Sequence, residues 1–273
     1  MKLTCYGTGA AEAIPGVFCD CEVCQKARQL RGKEIRSRHL STVDEDIQFD
    51  LGPDLFYHVA AFGLDPRRTR HLIITHAHAD HLMPDVLGLR RPPFSFAKAG
   101  TLQLIGNSAV LKRVLQGADA DFESNHIKWT EAVPFVSISL DGQTTLTPLP
   151  ANHAPEIGGG LIYLLERGGR SLLYAHDTGE LSEEVYAFLA GRHIDAASLD
   201  CTGAYRGAGT HHMDLKGCED AVHRLKKDGA VKEDAKIVLN HFSHGGGATH
   251  AQLEEEASGR GWIAAFDGLV VEI

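Results

Sequence analysis

Four side chains able to bind a metal stand within six residues in Thr75-His76-Ala77-His78-Ala79-Asp80-His81. His76 and His78 are two apart, close enough to chelate one ion together, while Asp80 and His81 fall on the following turn and can face a second ion. The spacing points to a two-metal centre, and the helical HExxH pattern does not fit it. The bland alternative is a solvated histidine-rich loop. Against it stands the apolar run His71-Leu72-Ile73-Ile74 directly ahead, because a buried strand that ends in the cluster holds its ligands on a rigid element.

Later stretches end in the same way. Pro148-Leu149-Pro150-Ala151-Asn152 is a stiff approach to His153; a single loop histidine is usually just solvated, but this one stands where an extended segment would supply a third imidazole. Ser171 to Ala175 reads as a strand ending at His176-Asp177-Thr178-Gly179, which makes Asp177 the natural bridging carboxylate and turns His176 to the opposite side. Lys236 to Asn240 delivers His241 and His244. Asp50, at the acidic end of the alternating stretch Asp46 to Gly52, could accept an imidazole N–H beside the metal loop.

A second cluster, Phe18-Cys19-Asp20-Cys21-Glu22-Val23-Cys24, puts half of the six cysteines in one short stretch. Nothing marks an oxidising compartment, and pairing would leave one thiol over, so disulfides are disfavoured. Three thiolates fit a tetrahedral zinc with one ligand missing; a loop of small buried thiols is the alternative.

The elements that must position these groups follow from pattern and punctuation. Strands are expected at Met1 to Gly7, Thr101 to Ile105, Phe135 to Ile138, Thr144 to Thr147, Leu161 to Glu166 and Ala196 to Cys201. Helices are expected from Glu22 to Leu30, from Asp80 to Arg90 and from Asn107 to Leu115. A further helix has Asp214 as its N-cap and runs to Lys227, and the last is opened by a capping box of Thr249 and Gln252. Strands interrupted by helices, in two comparable halves, fit two packed mixed sheets with helices outside and the metals along one edge of the sandwich.

The 273 residues, 43% hydrophobic, suffice for one large domain over 1-273, and glycine and proline form no tract that would mark a linker. A net charge of -9 argues against a surface that coats polyanions, so duplex DNA and bulk RNA are poor partners. No apolar run approaches the ~20 residues of a membrane span. The start lacks a secretory h-region, so a cytoplasmic location is expected. A homodimer stays open.

With these residues in place the chain resembles the metallo-β-lactamase superfamily, whose HxHxDH motif stands here as His76, His78, Asp80 and His81, with His153, Asp177 and His241 following in order. The resemblance implies an α/β four-layer αββα sandwich. Gly7-Thr8-Gly9, the cysteine cluster, Asp200-Cys201 and His212-Met213-Asp214-Leu215 are similar to the phosphoribosyl 1,2-cyclic phosphate phosphodiesterase family of phosphonate breakdown. That likeness implies a structural zinc on Cys19, Cys21, Cys24 and His244, and a catalytic role for His212. The loop Gly203 to Gly209 departs from that family's pattern.

Resemblance and spacing together assign His76, His78 and His153 to one divalent ion and Asp80, His81 and His241 to another, with Asp177 bridging them. Zinc, manganese or iron would suit these ligands. His212 and Asp80 are the catalytic expectation, and Asp50 and Asp200 the supporting one. The expected function is a metal-dependent phosphodiesterase for a small cyclic or ribosyl phosphodiester, with a hydroxide between the ions as nucleophile and His212 protonating the leaving alkoxide.

Several alternatives stay open. A transfer RNA 3′-processing endonuclease shares the motif but lacks an obvious basic RNA-binding insertion here. A binding protein like that of pyrroloquinoline quinone biosynthesis shares the cysteines, but its family lacks the full metal set. Thioester or lactam hydrolysis would leave His212 little to do, and a diiron oxygen reductase would need Glu where His78 stands.

Overall fold

The computed structural model describes residues 1–96, 100–117, 121–207 and 209–273. Its strands in chain order are β1 Lys2–Gly7, β2 Leu40–Val43, β3 Ile47–Phe49, β4 His71–Ile73, β5 Leu102–Gly106, β6 Ile127–Glu131, β7 Ile138–Asp141, β8 Thr144–Pro150, β9 Leu161–Arg167, β10 Arg170–Ala175, β11 Ile194–Asp200, β12 Val231–Asn240, β13 Ile263–Ala264 and β14 Leu269–Glu272. Among the described residues they form two seven-stranded mixed sheets, ordered β14-β1-β2-β3-β4-β5-β6 and β13-β12-β11-β10-β9-β8-β7. Helices α1 Glu22–Leu30, α2 Leu55–Phe62, α3 Ser108–Gln116, α4 Glu183–Leu189, α5 Leu215–Lys227 and α6 His250–Gly259 accompany them. This is the αββα sandwich that the strand and helix pattern predicts.

The apolar run ahead of the histidine loop does not alternate with polar residues because both faces of β4 are covered. Ile73 belongs to the core between the sheets, together with Phe49 and Tyr174, whose rings stack at 3.9 Å. Leu72 and Ile74 point to the other side, into an outer core shared with Leu55 of α2 and Val110 and Val114 of α3. β3, β4 and β5 run parallel to one another, as do β10, β11 and β12, so the carboxyl ends of several strands reach the same edge of the sandwich. Crevices at such ends are where ligands collect in mixed and parallel sheets.

Several expected boundaries move. The helix expected from Asp80 to Arg90 is a 3-10 helix over Pro84–Arg90. Residues 80–83 cannot coil into it, because Leu51 N–H bonds to the His81 carbonyl and Met83 N–H bonds to the Leu51 carbonyl, which ties this stretch to the end of β3. The strand expected from Phe135 to Ile138 begins only at Ile138, since Phe135 takes a left-handed backbone at φ 65°. α1 covers the expected span, and Thr249 with Gln252 forms a two-way capping box at α6. Unforeseen are β2, β6, β13, β14, α2 and α4. No described helix is long and apolar enough to cross a membrane.

Candidate metal centre

The strand ends bring together the residues singled out from the sequence. His76, His78 and His153 form one group and Asp80, His81, Asp177 and His241 another, each with its ligand atoms within 4.8 Å of one another. Asp177 lies where the two groups meet. Its Oδ2 is 2.7 Å from His81 Nε2 and 3.4 Å from His76 Nε2, and its Oδ1 is 3.1 Å from His241 Nε2. Asp50, Asp177 and His241 all have left-handed backbone, at φ 68°, 50° and 60°, a conformation uncommon outside glycine that recurs at functional sites.

The imidazole tautomers follow from what lies behind each ring. His81 Nδ1 donates to Asp50 Oδ2 at 2.7 Å. The Thr75 hydroxyl donates to Asp50 Oδ1 at 2.9 Å and so can accept from His76 Nδ1 at 3.0 Å. By the same logic the Thr202 hydroxyl donates to the His241 carbonyl at 2.7 Å and accepts from His241 Nδ1 at 2.8 Å. His153 Nδ1 donates to the His211 carbonyl at 3.2 Å. With the proton on Nδ1 in every case, each Nε2 presents a bare lone pair to the centre. His78 instead offers Nδ1, 2.8 Å from His76 Nε2 and 3.2 Å from His153 Nε2.

The fit to metal ions rests on the atoms left over. His81 Nε2, His241 Nε2 and Asp177 Oδ1 are buried without a hydrogen-bond partner. With these nitrogens unprotonated, the 2.7 Å and 3.1 Å approaches of Asp177 set oxygen lone pairs against nitrogen lone pairs, so proximity alone does not satisfy them. Buried polar atoms are rarely orphaned, and three converging on one point are the donor set of a cation site.

Electrostatics agree. Burial, with His81 beside it, holds His76 well below the usual histidine pKa, and burial also lowers His153. Burial disfavours charge on Asp177, but His241 and His81 outweigh it and keep that carboxyl well below its usual range. Burial likewise opposes the charge on Asp80, and neighbouring His81 overrides it to lower that pKa. Neutral imidazoles and ionised carboxylates are the protonation states that ligation needs. At His81 burial is outweighed by Asp80, Asp177 and Asp50, which raise its pKa well above the usual value; a place that attracts a proton so strongly attracts a metal ion by the same charge.

A family model described as the beta-lactamase superfamily domain matches residues 46–242, a span that contains all seven of these residues. The chain belongs to the beta-lactamase superfamily. It is a metal-dependent hydrolase of that superfamily. Among solved structures, this superfamily member is similar to a diphosphatase of the PhnP family, at TM-score 0.75 and 22% identity over 100% of this chain and 96% of that one. It is also similar to zinc-bound PqqB from Methylobacterium extorquens (TM-score 0.74, 18% identity, 100% of both chains). Human tRNase Z, short form, gives TM-score 0.65 and 16% identity over 100% and 99% of the two chains. At these identities the likenesses bear on the fold. No curated protein matches the chain.

In this superfamily member His212 stands beside the candidate metal ligands. Its Nδ1 donates to Asp200 Oδ2 at 2.8 Å, and its ring stacks 5.8 Å from that of His241. Burial works against a charge there, but the Asp200 hydrogen bond and charge outweigh it and raise the His212 pKa. Asp200 is itself fixed by the backbone N–H groups of Thr202 at 2.9 Å and Thr178 at 3.2 Å. His211 is exposed, and Ala208, within the loop that departs from the resembled family, lies outside the described residues. Two glycines allow close approaches that set the site: a Cβ at Gly52 would lie 2.1 Å from the Asp80 carbonyl oxygen, and one at Gly179 would lie 1.9 Å from that of Thr210.

The thiol cluster also assembles. Cys19, Cys21, Cys24 and His244 have ligand atoms within 4.8 Å of one another, and all six cysteines are free thiols. His244 Nδ1 lies 3.6 Å from both Cys19 Sγ and Cys21 Sγ. A tetrahedral zinc with ligands at about 2.3 Å (S) and 2.0 Å (N) has an S···N edge of about 3.5 Å, close to these separations, so the cluster has the dimensions of such a site.

Thr75 and Thr202, which fix tautomers, had no role assigned from sequence, although Thr75 adjoins His76 and Thr202 lies two residues after Asp200. His39 was missed altogether. It is buried behind the centre with its ring 6.1 Å from His81 and 5.8 Å from His241, and it contacts the Tyr174 hydroxyl and His176 Nδ1. His176 bonds onward to Ser198 Oγ at 2.7 Å, turned away from the candidate metal ligands as its strand parity predicts.

Proposed function

We propose that the protein is a phosphodiesterase for a small cyclic or ribosyl phosphodiester. Two divalent ions would be held by His76, His78 and His153 and by Asp80, His81 and His241, with Asp177 between them. The observation that carries the reading is the pairing of this orphaned, cation-demanding cluster with a histidine outside it whose Nδ1 is locked onto a buried carboxylate. Bound divalent ions would neutralise phosphoryl charge and bring the pKa of a water from about 15.7 towards about 7.

The chain's own residues do the rest. Asp50, Thr75 and Thr202 keep the imidazoles oriented. Asp200 orients His212 through Nδ1–H and favours its imidazolium, whose Nε2–H, directed away from Asp200, can pass its proton to the departing alkoxide as the P–O bond breaks. The products are a phosphomonoester and an alcohol, which remain in one molecule when the diester is cyclic. Hydrolysis of a thioester has less need of such a proton donor, because a thiolate departs unprotonated.

A hydrolysis panel on metal-reconstituted protein tests this: bis(p-nitrophenyl) phosphate, cyclic ribosyl phosphates, a thioester and a lactam. Turnover of the phosphodiesters is expected to dominate, and turnover of the thioester or lactam alone would overturn the assignment.

The tautomer-fixing hydroxyls yield a prediction of their own. Thr202→Val keeps the side-chain shape and removes the acceptor for His241 Nδ1–H. Metal affinity is expected to fall about 10- to 100-fold, as is usual when the group behind a ligand is lost. Competition with a chromogenic chelator measures it; unchanged affinity would show that Thr202 does not orient His241.

Cys19, Cys21, Cys24 and His244 are proposed to hold one structural zinc. Elemental analysis during graded chelation is expected to show activity lost first and one zinc per chain retained, since a closed four-ligand site has no open position for exchange. Simultaneous loss of all metal would contradict two kinds of site.

A further inference from the structure

A cavity of about 340 Å³ opens beside His212, within the size range of small-ligand pockets. Besides His212 its lining includes Glu180, Tyr186, Asp214, Asp220 and Arg224. The charges are unequally committed. Arg224 is engaged by Glu183 at 2.9 Å and Asp228 at 2.7 Å and lies over the Tyr186 ring at 4.7 Å, so its cation is spoken for. Asp220 is paired with Lys216. Glu180 makes no hydrogen bond or ion pair among the described residues, and Asp214 uses one oxygen to cap Gly217 N at 2.7 Å. Tyr186 is 4% exposed, and its hydroxyl has no hydrogen-bond partner among the described residues. The Tyr186 ring is packed away while its hydroxyl, with no protein partner, faces an acidic cavity, where it is free to hydrogen-bond a ligand.

The direction of the reaction says which part of the substrate lies there. His212 Nδ1–H is occupied by Asp200, so the proton it can pass on is the Nε2–H of the imidazolium, and the oxygen that receives it bears the leaving alcohol on the His212 side of the centre. We propose that this cavity takes the alcohol half of the phosphodiester and selects a leaving group with hydroxyl or ammonium donors and no negative charge of its own. The inference rests on the phosphodiesterase reading and narrows it: an amino alcohol or polyol fits, whereas a leaving group bearing phosphate or carboxylate meets Glu180 and Asp214.

The test uses the metal-reconstituted full chain and three methyl phosphodiesters, of 2-aminoethanol, glycerol and glycolate, with the released alcohol quantified. Release of 2-aminoethanol and glycerol is expected to exceed that of glycolate by about tenfold in kcat/KM, a modest ratio for one unpaired charge at a few ångströms. Glu180→Lys, at an exposed position where folding is not at stake, is expected to reverse the order for glycolate against 2-aminoethanol. Equal rates on the three diesters, or a ratio untouched by Glu180→Lys, overturn the pocket assignment and leave the phosphodiesterase reading standing. Cleavage of bis(p-nitrophenyl) phosphate with none of the three cleaved does the same. Failure on every diester overturns both.

Discussion

Asp177→Asn is expected to release at least one metal ion and to lower kcat/KM by about 10³-fold, because the loss of one ion's charge stabilisation is worth several kcal/mol and each 1.36 kcal/mol is about tenfold. Asparagine keeps the shape of the side chain and tolerates the left-handed backbone that Asp177 adopts at φ 50°. What changes is the charge. Asp177 lies within 3.4 Å of nitrogens from both ligand groups, at His76 on one side and His81 and His241 on the other. A neutral amide there weakens the attraction for cations at the meeting point of the two groups. Metal content by elemental analysis and kinetics on the same sample check the two effects together. Full metal content with normal activity would remove Asp177 from the bridging position and direct attention to Asp200, which lies near His212 and His241 in an adjoining group.

His212→Ala is expected to keep its metals and to lose about 10²- to 10⁴-fold in rate on diesters with alkyl or ribosyl leaving groups, the usual range for a lost general acid. A p-nitrophenolate departs without a proton, so bis(p-nitrophenyl) phosphate should suffer much less. The ratio of the two losses separates proton donation from phosphate binding, which would slow both alike. Equal losses would reject the general-acid role. His211→Ala is the neighbouring control: its side chain is exposed and meets the site only edge-on at His153, ring centroids 6.2 Å apart, while the backbone carbonyl that His153 Nδ1 bonds is retained by the substitution.

The candidate ligands were legible because each sits at the end of a strand whose apolar pattern announces it, and the loop from His76 to His81 carries four of them in a row. Their pairing into two groups was legible in part, from the two-residue spacing of His76 and His78. The orienting groups were harder to read. Asp50 stood out as an acidic strand end, but the Thr75 and Thr202 hydroxyls matter through their distances to a ring nitrogen and a carbonyl, and a threonine in a loop has many other uses. His39 is recruited from a segment far from the ligands in the chain, with no local signature. The 3-10 helix at Pro84 shows the opposite error: helix-like spacing from Asp80 onward was real, but hydrogen bonds between Leu51 and the His81 to Met83 stretch claimed the backbone first. Gly52 belongs to the same arrangement, since it admits the Asp80 carbonyl at a distance no other residue would allow.

The most direct measurement is hydrolysis of an alkyl phosphodiester by metal-reconstituted protein in ¹⁸O-labelled water, followed by ³¹P resonance and mass analysis of the alcohol. The account predicts metal-dependent cleavage with the label in the phosphomonoester and none in the alcohol, since water attacks phosphorus and the alkoxide leaves with its own oxygen. Label in the alcohol, or no cleavage by protein with its full metal content, would contradict it.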